Sequence, residues 1–274
     1  MQTFTDYFKE QYPKYEYLLP IISHSIGRKP EWQDLTKTNL IKVRKSLVEM
    51  YAPNTAKTYV AIIKSTLNQV KEEVNIPCRN FAEVLQVRKV ASTAVWTTEQ
   101  EVEQLSKVRT RTNAEQYTLT MYLIQAYTGA RVSDATKFTT TNITNDRLSY
   151  VSEKTGIAVT IPVKPKVREL IERIPLLTPI SNVTYCKVIK ELCARAGISA
   201  KTTVFKGGKD VTEAKFNLIS THTARRSFAT NLYLRGLDLY AISKYMGHAS
   251  TAMTENYLCC GVREVDDKVK SFFE

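Results

Sequence analysis

Apolar residues in the first ninety positions recur with the period of a helix. Leu40, Val43, Leu47 and Met50 step by three and four, which lines one helical face. Thr36 or Thr38 stands where an N-cap belongs. Ala52-Pro53-Asn54 interrupts the pattern. Asn54 is then expected to cap a second helix striped by Val60, Ile63, Leu67, Val70 and Val74 and ended by Ile76-Pro77. On its other side Lys57, Lys64 and Lys71 recur seven apart, as either a solvated face or a row of phosphate contacts.

Residues 85–97 (VLQVRKVASTAVW) are basic and lose the periodicity, which places a domain boundary near residue 90, between a helical domain 1–90 and a second domain 91–274. A capped helix opens at Thr97-Thr98-Glu99-Gln100, and helices run on through Gln116–Tyr127. The period then drops to two in Arg147–Ser152 and Ile157–Val163. These read as strands joined by Glu153-Lys154-Thr155-Gly156, with Gly156 suited to a turn that needs positive φ. A second hairpin is expected around Lys206-Gly207-Gly208-Lys209. Helices resume at Thr221, with Gly236 and Gly247 as terminators. The fold class implied is mostly α with a small antiparallel β-sheet, in two domains.

Composition narrows the class of function. Hydrophobic residues are 43% of the 274, enough for real cores. Lys and Arg number 39 against 27 Asp and Glu, a formal charge of +12. Residues 1–92 hold 14 basic against 9 acidic side chains (+5), leaving 25 against 18 (+7) for the rest. Both parts are therefore basic, which favours a polyanion gripped from two sides. The N-terminus lacks a leader pattern, and no apolar run approaches the roughly 18 residues of a membrane span. The five cysteines form no CxxC pair and there are three histidines, which fits neither a disulfide framework nor a zinc site. A cytosolic protein with free thiols and no metal is expected.

Six residues carry candidate chemistry. His222 and Arg225 lie three apart in STHTARRSFATNLYLRG, with Ser220 or Thr221 as cap. Phe228, Leu232 and Leu234 supply that helix's packing, so neither polar residue need be core. Arg226 adds a further cation for anion binding. His248 follows Gly247 after a helix begun near Asp238. Tyr257 comes nine residues later, beyond a short helix that Ser250 can cap. Arg131 in YTGARVSDA follows a helix end, and Asp134 can orient its guanidinium. Lys154 stands at the hairpin tip. Each has an ordinary reading alone: a polar face, a packed aromatic, a structural ion pair, a solvated turn.

The ordered set does not. TGARVSD, YVSEKTGIAVTIPV, HTARRSFAT and MGHASTAMTENY closely resemble the motif boxes of the tyrosine recombinase (phage integrase) family. The likeness is strong over residues 91–274, whereas residues 1–90 match the helical core-binding domain only in pattern. It implies an α+β catalytic domain whose catalytic residues are Arg131, Lys154, His222, Arg225, His248 and Tyr257. In that family the tyrosine attacks a DNA phosphate, giving a 3′-phosphotyrosine linkage that needs neither ATP, cofactor nor metal. The two arginines would clamp the non-bridging oxygens, for which the forked guanidinium is suited. His222 would assist proton movement at the tyrosine, His248 would donate a hydrogen bond to the phosphate, and Lys154 would protonate the departing 5′-oxygen. Lys57, Lys64, Lys71 and Arg226 are candidate DNA contacts.

The partners implied are double-stranded DNA and three further copies of the chain, a homo-tetramer on DNA that leaves a monomer open in free solution, with no membrane. Val262, Val265, Val269, Phe272 and Phe273 form a C-terminal stripe, either packed on its own domain or docked in a neighbouring protomer. Without a further domain ahead of residue 1, separate recognition of arm-type sites is not expected. A type IB topoisomerase-like relaxer and a non-catalytic DNA-binding homologue stand as alternatives.

Overall fold

The computed structural model describes residues 2–90 and 93–260. Contacts divide the chain into two compact units, Met1–Ser92 with Phe205–Lys209, and Thr93–Val204 with Asp210–Glu274.

The first unit is helical: α1 Phe4–Gln11, α2 Leu18–Ile26, α3 Lys37–Met50, α4 Pro53–Val70 and the single turn α5 Phe81–Val84. Phe4, Phe8, Ile22, Leu40, Val43, Leu47, Val60, Ile63 and Leu67 form one core. Thr36 caps α3 by accepting from the Asn39 amide. Met50 departs from the expected stripe, being 60% exposed, because it sits in the last turn beyond the neighbouring helices. α4 also differs at both ends. Pro53 opens it at the first helical position, where its missing N–H costs nothing. Asn54 is thus already helical, and its side chain instead bonds both backbone groups of Val90, at 2.9 and 3.1 Å. The helix ends at Val70, ahead of Ile76-Pro77, and Val74 packs on the core from the following turn.

The second unit opens with α6 Glu99–Ser106, capped by a reciprocal Thr98–Glu101 box. α7 Asn113–Thr128 follows and is buried continuously from Tyr117 to Gln125, which means it is packed on every side and forms the centre of this unit. After α8 Val132–Ala135 come β1 Ile143–Thr144, β2 Arg147–Val151 and β3 Ala158–Pro162, antiparallel in the order β1-β2-β3. The β2–β3 hairpin is the one expected, with Gly156 at φ 66°; β1 is an addition. α9 Pro165–Arg173 and α10 Asn182–Arg195 cover α7, and β4 Lys201–Lys206 and β5 Lys209–Ala214 form the second hairpin, whose residues Phe205–Lys209 are counted with the first unit. The remaining helices are α11 Lys215–Leu218, α12 Thr223–Leu234, α13 Leu239–Tyr245 and α14 Thr251–Glu255. No helix among the described residues is long and apolar enough to cross a membrane.

Two glycines let the backbone close up around one spot. Gly129, which ends α7 at φ 68°, faces Phe228 of α12 so closely that a Cβ would lie 2.4 Å from the ring. Gly247, beyond α13 at φ 60°, faces Val159 of β3, and a Cβ would lie 2.9 Å from it. The apolar stripe from Val262 onward lies outside the described residues.

Candidate active site

Arg131 directly follows Gly129-Ala130, in extended backbone at the start of α8. Its Nη1 donates to Ser152 Oγ at 2.7 Å, and Ser152 Oγ donates to Asp134 Oδ2 at 3.1 Å. Asp134 itself is 4.0 Å from the guanidinium, beyond hydrogen-bond length. The expected direct contact is therefore relayed through a serine that is fully buried. The other carboxylate oxygen of Asp134 accepts from the Glu153 amide at 3.0 Å. One carboxylate thus ties the arginine to the turn that bears Lys154. Sequence reasoning missed Ser152, because no local pattern links positions 131 and 152.

Arg225 is in the first turn of α12, and it is 1% exposed. The expectation that it need not be core is corrected: it is among the largest fully buried side chains. Its Nη1 donates to the Gly129 carbonyl, its Nη2 to the Met246 carbonyl at 2.6 Å and to His248 Nε2 at 2.8 Å. These bonds gather the ends of α7 and α13 onto α12. Of the five N–H donors of a guanidinium, three are committed, and Nε has no partner.

An arginine can only donate, so His248 Nε2 accepts and its proton is on Nδ1, which donates to Thr254 Oγ1 at 2.9 Å. His248 is 3% exposed. Burial, then the charges of Arg225 and Arg131, hold its imidazole at about 4, so it is neutral at neutral pH. In this state its Nε2 is engaged by Arg225. Thr254, buried three residues before Tyr257, was not singled out from sequence.

Tyr257 lies just past the end of α14, its ring 5.0 Å from the His248 ring and 5.3 Å from the Arg225 guanidinium. The Arg226 guanidinium stands 5.5 Å from the same ring. Tyr150, whose phenol also senses Arg225 and Arg131, is pushed up to about 12 by burial and packs on Phe138.

His222 occupies the N-cap position of α12 without capping it, and neither Ser220 nor Thr221 does so; Thr223 Oγ1 instead accepts from the Ser220 amide. His222 is exposed. Partial desolvation, followed by the charges of Arg226, Arg225, Lys154 and Arg131, holds it below the ordinary histidine range. The exposed Lys154 therefore stands within electrostatic reach of His222. Its turn is tied to the other loop by Thr155 Oγ1, which donates to the Gly247 carbonyl at 3.3 Å.

The candidate DNA contacts separate. Lys57 and Lys64 line a groove of about 520 Å³ in the first unit with Arg44, Arg88 and Lys89. Lys71 is outside it, past the end of α4 and 3.8 Å from the Glu72 carboxylate. Arg226 belongs to the second unit and holds the Asn256 carbonyl at 2.9 Å.

A profile of the phage integrase family matches residues 95–260. Among curated proteins, the tyrosine recombinase XerC of Rickettsia canadensis is 26% identical over 141 residues, covering 50% of this chain and 45% of that protein. The tyrosine recombinase XerC of Pelobacter propionicus is 48% identical over 44 residues, 16% of this chain and 15% of that one. The chain thus spans less than half the length of these relatives. Among solved structures, a lambda integrase dimer bound to a COC′ core site superposes with a TM-score of 0.65 at 16% identity, covering 91% of this chain and 88% of that one. The Tn1549 transposon integrase with a circular intermediate DNA gives 0.66 at 14% identity, over 99% and 100%. At such identities the likeness is one of fold.

Proposed function

The chain belongs to the phage integrase family, and on that premise we propose that it is a site-specific recombinase. It cleaves and rejoins double-stranded DNA in the cytoplasm through a covalent 3′-phosphotyrosine link at Tyr257. The observation that carries this reading is the convergence of Arg225, His248 and Tyr257 from separate segments onto one spot, within electrostatic reach of Arg131.

The phenol oxygen of Tyr257 attacks phosphorus, the 5′-oxygen departs, and negative charge grows on the non-bridging oxygens. Arg131 and the uncommitted donors of Arg225 meet that charge from fixed positions, so no reorganisation is needed as it develops. His222, neutral at neutral pH, accepts the phenol proton, and Lys154 delivers one to the 5′-oxygen. Rejoining reverses the sequence. Lambda integrase has been captured as a tetramer bound to a Holliday junction; by analogy this chain acts as a homo-tetramer on two duplexes.

Covalent trapping tests the reading. Labelled duplexes tiled across the DNA flanking the native gene, each nicked so that the cleaved end diffuses away, are incubated with protein in EDTA and run on a denaturing gel. Wild type should give an adduct and Tyr257→Phe none, although the variant still binds. Normal cleavage by Tyr257→Phe would remove the nucleophile assignment.

A further inference from the structure

Arg226 and Thr230 are one turn apart on α12 and face the same short stretch of backbone. Arg226 Nη1 donates to the carbonyl of Asn256, immediately before the nucleophile, at 2.9 Å. Thr230 Oγ1 accepts from the amide of Cys259, two residues after it, at 3.1 Å. Thr230 is fully buried, and Arg226 also reaches Cys259 Sγ at 3.9 Å. Between these two points lie only Tyr257 and Leu258, whose amides turn back to the Thr254 and Glu255 carbonyls at 2.8 and 3.1 Å. The helix before them is short: α14 is five residues long and Ser250 makes no side-chain cap bond, so the Arg226 and Thr230 bonds add to the hold that Thr254 has on the Tyr257 amide.

We infer that Arg226 and Thr230 form a two-point clasp that seats the nucleophile in the site of its own protomer, Arg226 being a positioning residue for Tyr257 and not a DNA contact. The guanidinium suits both parts of this task. It satisfies an open carbonyl past a helix C-terminus, where a cation is favoured, and its face lies 5.5 Å from the Tyr257 ring, opposing rotation of the phenol. A misplacement of about 1 Å at a reacting group can cost about 10²-fold in rate, so the clasp acts on the chemical step and leaves DNA affinity alone.

This inference rests on the nucleophile assignment above, and two measurements separate the fates of the two. The first needs no DNA: amide hydrogen exchange at Cys259 in wild type, Arg226→Ala, Arg226→Lys and Thr230→Val. Opening the clasp should speed exchange at least about tenfold in Arg226→Ala and Thr230→Val, with a smaller effect in Arg226→Lys. Unchanged protection in both overturns the clasp whatever the protein does to DNA.

The second measurement is the single-turnover rate of adduct formation at saturating DNA, with the dissociation constant read across salt. Arg226→Ala should lose about 10²-fold in rate, with affinity and salt slope held and partial recovery in Arg226→Lys. A slope reduced by about one with the saturated rate intact would instead make Arg226 a phosphate contact. In a Tyr257→Phe background, hydrogen peroxide can replace the phenol, its oxygen joining phosphorus as the 5′-oxygen leaves with a proton. Adding Arg226→Ala should not slow that reaction; an equal loss there would place Arg226 on the phosphate and overturn the inference. An absent wild-type adduct would sink the recombinase reading, and exchange would still decide the clasp.

Discussion

At the scale of single residues, the site is organised by one buried arginine. Arg225 spends three of its donors on Gly129, Met246 and His248, so its removal does two separable things. Arg225→Ala leaves two buried carbonyls unpaired and should lower the melting temperature as well as adduct formation. Arg225→Lys keeps the charge but loses the fork. It should melt closer to wild type while the rate still falls by about 10²-fold. A lysine variant of near-normal rate would take Arg225 out of the phosphate clamp.

His248 gives a pH signature with a definite sign. Its folded value of about 4 lies below the ordinary 6.5, so between these values the unfolded chain binds a proton that the folded chain refuses. Stability contributed by the neutral, buried ring is complete above about pH 6.5 and is lost as pH falls towards 4, by an amount on the order of 3 kcal/mol. Melting temperatures followed from pH 7 to 4 should fall, and fall less steeply in His248→Asn. Equal slopes in the two proteins would mean that His248 is not held neutral.

At the scale of elements, the decisive contacts are close approaches of backbone. The end of α7 meets α12 at Gly129, and the end of α13 meets β3 at Gly247. These approaches bring Arg131, Arg225 and His248 within reach of one another. Gly129→Ala adds a methyl 2.4 Å from the Phe228 ring at φ 68°, combining left-handed strain with overpacking. Together these should cost about 2–4 kcal/mol in denaturant melts, and adduct formation should fall even in protein that stays folded. Asn54 shows the same scale from the sequence side. Its type suits a cap, but Pro53 claims the start of the helix and Asn54 turns to Val90. Local preference was real there, and a competing local signal displaced it.

At the scale of the whole molecule, the proposed recombinase, basic in both its N-terminal and its C-terminal part, should bind DNA in a way that weakens steeply with salt, since each phosphate contact contributes about 0.9 to the logarithmic slope. Lys57 and Lys64 line the basic groove of the first unit and Lys71 does not. Replacing Lys57 and Lys64 together by alanine should lower the slope by about 2, whereas Lys71→Ala should leave it unchanged. Equal effects from all three would return the lysines to a uniform row on one helical face.

What the sequence determined by itself is whatever depends on near neighbours. Periodicity placed α3, α4, β2 and β3, and Thr98-Glu101 announced its own helix start; the choice of Arg131, Lys154, His222, Arg225, His248 and Tyr257 as site residues came from the resemblance of their motif boxes to a family. What only the tertiary structure decided is which groups those residues meet. Ser152 inserts between Arg131 and Asp134, His248 accepts from Arg225, Arg225 is core, and Arg226 holds Asn256. These partners lie 18–30 residues apart along the chain. Helical and strand patterns arise from bonds spanning a few residues, so they are written locally. The direction of a hydrogen bond between distant side chains is fixed only when packed helices bring donor and acceptor together and exclude the water that would otherwise satisfy both.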